Sequence, residues 1–196
     1  MLREQFDGIH PPHIFEMPVS VAYLESLPYD GHRYEVIDGE IFIEEFPLIA
    51  HQRVIGNLAT GLSNHIECEQ GEVIPQVGIT LDEYTCIVPD VIYISHERLK
   101  NLIGEDGLIH GAPELVIEVI SPTGVNQHRD RIVKPKIYAH HGVSEFWLAD
   151  IQRRTIEIYR LTDARLHLHA TLMENDNLTT PLLPDFSCAV SKIFAR

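Results

Sequence analysis

The stretch "PELVIEVIS", residues 113–121, constrains this chain more than any other. An apolar run of that length, bounded by "GA" before it and "PTG" after it, belongs inside a core, where it predicts a strand. Glu118 sits in the middle of the run. An ionised carboxylate buried without a partner costs several kcal/mol or more, so the fold must bring that side chain a proton, a cation or a metal ion.

The rest of the pattern predicts a mixed sheet with helices packed on it. Residues 1–19 hold three prolines and no periodicity, and predict an extended arm ahead of a single domain over 20–196. "SVAYLESLPYDG" predicts a short helix with Ser20 as N-cap and a stop at Pro28. "RYEVIDGEIFIEE" places two alternating runs around Asp38-Gly39, the signature of a type I′ hairpin. That turn pairs Val36 with Ile41 and Tyr34 with Ile43. From His51 to Gln70, apolar residues at 54, 55, 58, 62 and 66 predict a helix with Gly71 as its C-cap. "EVIPQVGITL", "CIVPDVIYIS" and "PELVIEVIS" predict three strands, and "DRIVKPKIYAHHG" a helix ending at Gly142. "SEFWLAD", "RRTIEIYRL" and "ARLHLHATL" predict three more strands, with Trp147 in the core. No repeat or linker divides the chain.

Composition narrows the function classes. The chain is 44% hydrophobic and 22% charged, enough apolar material for a substantial core. No run approaches the roughly 18 to 20 apolar residues of a membrane helix, and the N-terminus lacks an apolar signal region, so the expected address is the cytoplasm, with no membrane partner. Cys68, Cys86 and Cys188 are odd in number and contain no C-x-x-C pair, which argues against a disulfide framework. The net charge of −14 repels polyanions. A nucleic-acid function therefore requires a local basic patch or a metal. His167 and His169 share a strand face, but no cysteine or third histidine follows at zinc-site spacing, so they read as surface residues. The signals of serine hydrolases, dinucleotide binding and P-loops are absent.

Asp90 opens "DVIYIS" behind Pro89, and Glu118 shares a strand face with Val116 and Ile120. If the two strands are neighbours, the carboxylates converge at one end of the sheet. They then repel unless a cation or a shared proton lies between them, and Mg²⁺ held by two carboxylates and waters is one solution. A capping Asp90 and a salt-bridged Glu118 fit the spacing equally well.

"VPDVIYIS", "APELVIEVISP" and "DRIVKPKIYAHHGVSEFWLAD" together resemble the metal-dependent PD-(D/E)XK nuclease superfamily. More narrowly, with "YEVIDGEIFIEE" and His51-Gln52, they resemble its bacterial restriction-endonuclease family of the Uma-two type, over about residues 20 to 161. The resemblance implies an α/β, restriction-endonuclease-like core: a mixed sheet flanked by helices, preceded by a helix and a hairpin. It implies hydrolysis of nucleic acid, DNA rather than RNA, with Mg²⁺ or Mn²⁺ on Asp90, Glu118 and the Val119 carbonyl, and it leaves room for a homodimer. The superfamily lysine is expected two residues after the glutamate, where this chain has Ile120; the family's lysine is taken to have moved to Lys134 on the next helix. Pro135 then requires that helix either to start near Lys134 or to kink there. Arg129, Arg131 and Lys136 would flank Lys134 as a phosphate-binding patch or a solvated helix face. His51, at the start of the first long helix, would act as ligand or base, or merely begin the helix. Glu40 and Glu45 offer a third carboxylate, although exposed hairpin glutamates are common. The alternative to an enzyme is a binding or assembly module on the same fold that has lost turnover, a reading that Ile120 and the acidic charge favour.

Overall fold

The structure, a computed structural model, describes residues 17–27, 31–43, 47–66, 70–120 and 127–196. Most of the expected arm lies outside these residues. Helix α1 (Val21–Ser26) begins at Ser20, whose hydroxyl oxygen accepts the Tyr23 N–H at 3.4 Å. Strands β1 (Tyr34–Ile37) and β2 (Glu40–Ile43) follow as the hairpin. Asp38 and Gly39 have φ of 50° and 81°, the left-handed pair that a type I′ turn needs. Val36 pairs with Ile41 and Tyr34 with Ile43, the register expected from the alternation.

Helix α2 (Ile49–Ser63) buries Val54, Ile55, Leu58 and Leu62, but ends before the expected boundary. Gly71 does not cap it; it opens strand β3 (Gly71–Pro75). A Cβ there would lie 2.5 Å from the Ile94 carbonyl oxygen, so glycine permits the close approach of a neighbouring strand. Two segments expected as single strands are each split. Strand β4 (Ile79–Asp82) is separated from β3 by Gln76, whose φ is 51°. Strands β5 (Thr85–Ile87) and β6 (Val91–Ser95) are separated by Pro89, which has no N–H for a ladder. At each break the chain crosses between sheets.

Helix α3 (His96–Leu102) and strand β7 (Ile109–His110) precede the central strand β8 (Leu115–Ile120). Helix α4 (Lys134–His140) then leads to β9 (Glu145–Asp150), β10 (Thr155–Thr162) and β11 (Arg165–Leu172). Strands β12 (Asn177–Thr180) and β13 (Leu183–Ala189) and helix α5 (Val190–Ile193) complete the chain.

The main sheet has the order β11-β10-β9-β8-β6-β3, and a second sheet the order β2-β1-β5-β4-β7. β8 and β9 run parallel, joined by the crossover that carries α4, whereas β6–β8 and β9–β10 are antiparallel. Every residue of β8 and β9 is buried, because both faces of the main sheet are covered. On one face Ile117, Val119 and Trp147 pack with Leu58, Phe186 and Val190 from α2, β13 and α5. On the other, Val116, Ile120, Phe146 and Leu148 pack with Ile137 and Tyr138 of α4 and with Ile37 and Ile87 of the second sheet. Each such large apolar side chain contributes about 1.5–3 kcal/mol by leaving water. This is the mixed α/β core that the pattern led us to expect, and no helix among the described residues is long and apolar enough to cross a membrane.

Candidate active site

Strand pairing puts Asp90 and Glu118 beside each other. Val91 lies opposite Ile117 and Ile92 opposite Val116, so one more step of that register sets Asp90 opposite Glu118. Both are nearly removed from solvent, at 5% and 3% exposure. Asp90 Oδ2 accepts the Val119 N–H at 2.8 Å. Glu118 Oε1 accepts the Tyr138 hydroxyl at 2.6 Å and the Lys134 ammonium at 3.0 Å.

Lys134 arrives on an irregular helix. Its own N–H donates to the Arg129 carbonyl, five residues back, and Arg129–Val133 winds as a π turn immediately before α4. Pro135 explains the distortion: it lacks an N–H for the regular ladder, and its ring would strike the carbonyl four residues earlier. A wider turn relieves both problems. Regular helix α4 therefore starts at Lys134, as one of the two expected alternatives had it, and continues directly from the π turn. Asp130, Lys134 and Tyr138 fall at four-residue intervals on one face, with Asp130 Oδ1 3.6 Å from the Lys134 ammonium.

A carboxylate absent from the expected set completes the cluster. Glu35 on β1 is fully buried. Its Oε1 accepts the Val88 N–H at 2.8 Å and the Lys134 ammonium at 3.3 Å, and its Oε2 lies 3.7 Å from the Arg129 guanidinium. Arg129 is itself buried, 5.0 Å above the Phe42 ring. The hint in the sequence is that Glu35 shares a hairpin face with Ile37 and, across the ladder, Phe42. Glu40 stands exposed beside the turn, and nothing among the described residues ties it to the cluster. Glu45 lies outside the described residues.

His51, in the first turn of α2, approaches from the opposite face. Its Nε2 is 2.8 Å from the Val119 carbonyl oxygen and 3.3 Å from Asp90 Oδ2. Its Nδ1 is buried with no hydrogen-bond partner among the described residues. Burial pulls the imidazole toward neutrality, but Asp90 and the Val119 carbonyl outweigh it and raise the pKa above its ordinary value.

Arg129, Arg131 and Lys136 do not form one surface patch with Lys134, because the irregular helix turns them to different sides. Arg129 and Lys134 face inward. Arg131 donates to Asp150 at 2.6 Å and to Glu157 at 3.1 Å. Lys136 alone of the three flanking cations is exposed.

Among the described residues, Glu118, Glu35 and Asp130 thus gather around Lys134 and Arg129, while Asp90, beside Glu118, faces His51. Burial, opposed by Lys134 and reinforced by Asp90, Asp130 and Glu35, pushes the Glu118 carboxyl up to about 8. Burial pulls Lys134 down, but Glu118, Glu35 and Asp130 more than compensate and hold it well above an ordinary lysine, so it stays charged. Burial and Glu118 raise Tyr138 well above an ordinary tyrosine, so its phenol keeps its proton and donates.

No group of three or more His, Cys, Asp or Glu among the described residues forms a ready metal-ligand set. A smaller oxygen set has the donor chemistry that a hard cation would need. Asp90 Oδ1 and Glu118 Oε2 take no hydrogen bond from the described residues, and the Val119 carbonyl has a second lone pair beside that facing His51. Two carboxylates and a carbonyl, completed by water, are the oxygen type such cations take, and a bound cation would favour the ionised form of Glu118.

The sequence pattern of the Uma2 family, described as "putative restriction endonuclease", matches residues 21–191. No curated protein matches the chain. Among solved structures, the chain matches a protein from Anabaena variabilis described as "a putative nuclease belonging to DUF820". The identity is 18% and the TM-score 0.72, over 90% of this chain and 98% of that one. At that identity the likeness establishes the fold.

Proposed function

This chain belongs to the Uma2 family of "putative restriction endonucleases", and from that premise we propose that it is a metal-dependent phosphodiester hydrolase acting on DNA, with Mg²⁺ or Mn²⁺ as cofactor. One observation carries the reading: a buried surplus of carboxylates at the junction of β1, β8 and α4, with a lysine held 3.0 Å from Glu118. Crowding so many buried carboxylates is costly, to the point that Glu118 is pushed up to about 8, and a bound cation would offset that cost.

In this reading Asp90, Glu118 and the Val119 carbonyl hold the ion. When bound, the ion polarises the phosphate and lowers the pKa of a water ligand. Lys134 offsets charge that grows on the phosphate in the transition state. Tyr138 fixes the Glu118 carboxylate by donating to Oε1, and His51 braces Asp90 and the Val119 carbonyl from the α2 side. Lys136 is the flanking cation free to meet the phosphate backbone.

The depth of the cluster favours a second reading, a binding or assembly module without turnover, because Asp90, Glu118 and Lys134 are all at most 5% exposed. A cleavage panel separates the two. Duplex DNA, single-stranded DNA and RNA are incubated with Mg²⁺ or Mn²⁺, alongside Asp90→Asn. Metal-dependent cleavage of DNA that disappears in Asp90→Asn supports the enzyme. Absence of cleavage on every substrate, or undiminished cleavage by the variant, rejects it.

A further inference from the structure

We infer that Glu35 positions Lys134 for the reaction and is not itself a metal ligand; this rests on the nuclease reading above. An ammonium has three N–H donors, and three carboxylates surround this one: Glu118 at 3.0 Å, Glu35 at 3.3 Å and Asp130 at 3.6 Å. Asp130 rides on the same helix as Lys134, so it cannot fix that helix against the sheets. Glu118 has a second duty as a ligand. Glu35 is the remaining external reference.

Its position is set by backbone. Oε1 accepts the Val88 N–H at 2.8 Å while also accepting the ammonium. Val88 lies two residues before Asp90, in the connection between β5 and β6. A single oxygen therefore ties Lys134 to the segment that carries Asp90, although the two belong to different elements. The neighbours of Glu35 also argue against a ligand role. Lys134 faces Oε1 and Arg129 faces Oε2 at 3.7 Å, and two cations around one carboxylate repel a third.

Glu35→Gln keeps the side-chain shape and an acceptor for Val88, but removes the charge facing Lys134. In the full-length chain we expect kcat to fall by about 10²-fold, the scale for a misplaced catalytic group. KM and the Mn²⁺ dissociation constant, measured calorimetrically without nucleic acid, should not change. Glu35→Asp, which retains the charge but withdraws it by one methylene, should recover part of kcat. A third measurement does not depend on turnover. In ¹⁵N-lysine-labelled protein, the buried Lys134 ammonium should give a slowly exchanging NMR resonance that Glu35→Gln shifts or abolishes. Unchanged kcat overturns the proposal, and so does a parallel loss of Mn²⁺ affinity, which would make Glu35 a ligand. If the unaltered protein cleaves nothing, the nuclease reading fails, and the ammonium resonance alone decides whether Glu35 holds Lys134.

Discussion

Lys134→Met tests whether the buried charges act as one unit. Methionine retains most of the apolar stem but removes the ammonium, with its hydrogen bonds to Glu118 at 3.0 Å and Glu35 at 3.3 Å and its contact with Asp130 at 3.6 Å. Among the described residues, Arg129 then remains the cation beside Glu35 and Asp130, and Glu118 keeps the Tyr138 hydroxyl. Deleting one partner of a buried ion pair typically costs about 3–5 kcal/mol, a large share of the roughly 5–15 kcal/mol that holds a domain together. Glu118 can lessen the damage by taking up a proton. Its carboxyl is already raised to about 8, and without Lys134 it rises further. The loss should therefore approach the full figure at pH 9 and be smaller at pH 6. Urea unfolding at both values measures it. A cycle with Glu118→Gln should show coupling within about 0.5–3 kcal/mol. A loss below about 1 kcal/mol at pH 9, or strict additivity, would refute a coupled buried cluster. In the cleavage assay Lys134→Met should lower turnover far more than metal affinity, because both carboxylate ligands remain. Lys136→Met is the control, and equal losses would point to a diffuse phosphate-binding patch.

Metal-free stability should depend on pH through Glu118. Because its folded carboxyl is raised to about 8, the folded chain binds a proton that the unfolded chain has already released, so stability falls as pH climbs from the ordinary glutamate range to about 8. Glu118→Gln should flatten that profile in urea titrations, and coincident profiles would contradict the assignment. Asp90→Asn should abolish Mn²⁺ binding by calorimetry yet keep the fold, since the asparagine oxygen can still accept the Val119 N–H and repulsion with Glu118 is relieved. Arg131→Met should destabilise by about 1–3 kcal/mol through Asp150 and Glu157 without changing DNA affinity. Lys136→Met should leave stability within about 0.5 kcal/mol and reduce the salt slope of DNA binding by about 1; the opposite pattern would return Arg131 to the nucleic-acid interface.

Local signals made much of this fold legible. Asp38-Gly39 dictated a turn, the spacing of Val54, Ile55, Leu58 and Leu62 marked a buried helix face, and Glu118 stood out because its strand is otherwise apolar. The splits at Gln76 and Pro89 were less legible, since the flanking segments have unbroken strand composition and only the pairing of two sheets decides where they part. α3 has no fully buried residue, and its apolar face is just Leu99 and Leu102, too short a stripe to announce a helix. β12, β13 and α5 likewise went unread. Glu35 was missed for a different reason. Its burial depends on a contact with Lys134, 99 residues along the chain, whereas Glu40, the hairpin glutamate the pattern favours, is left in solvent by the turn.

The same distances bear on the expectation that the lysine has moved from position 120 to Lys134. Ile120, where the resemblance drawn from the sequence would expect a lysine, is buried in the apolar core beneath α4. An ammonium there would need carboxylates of its own, or would share those that already surround Lys134 at 3.0 to 3.6 Å and repel it. A regular helix would place residue 134 under the constraint of the proline that follows. The π turn over Arg129–Val133 removes that constraint and aligns Asp130, Lys134 and Tyr138 toward Glu118. It also turns Arg131 outward to Asp150 and Glu157. Pro135 is therefore part of the geometry that brings Lys134 to the carboxylates.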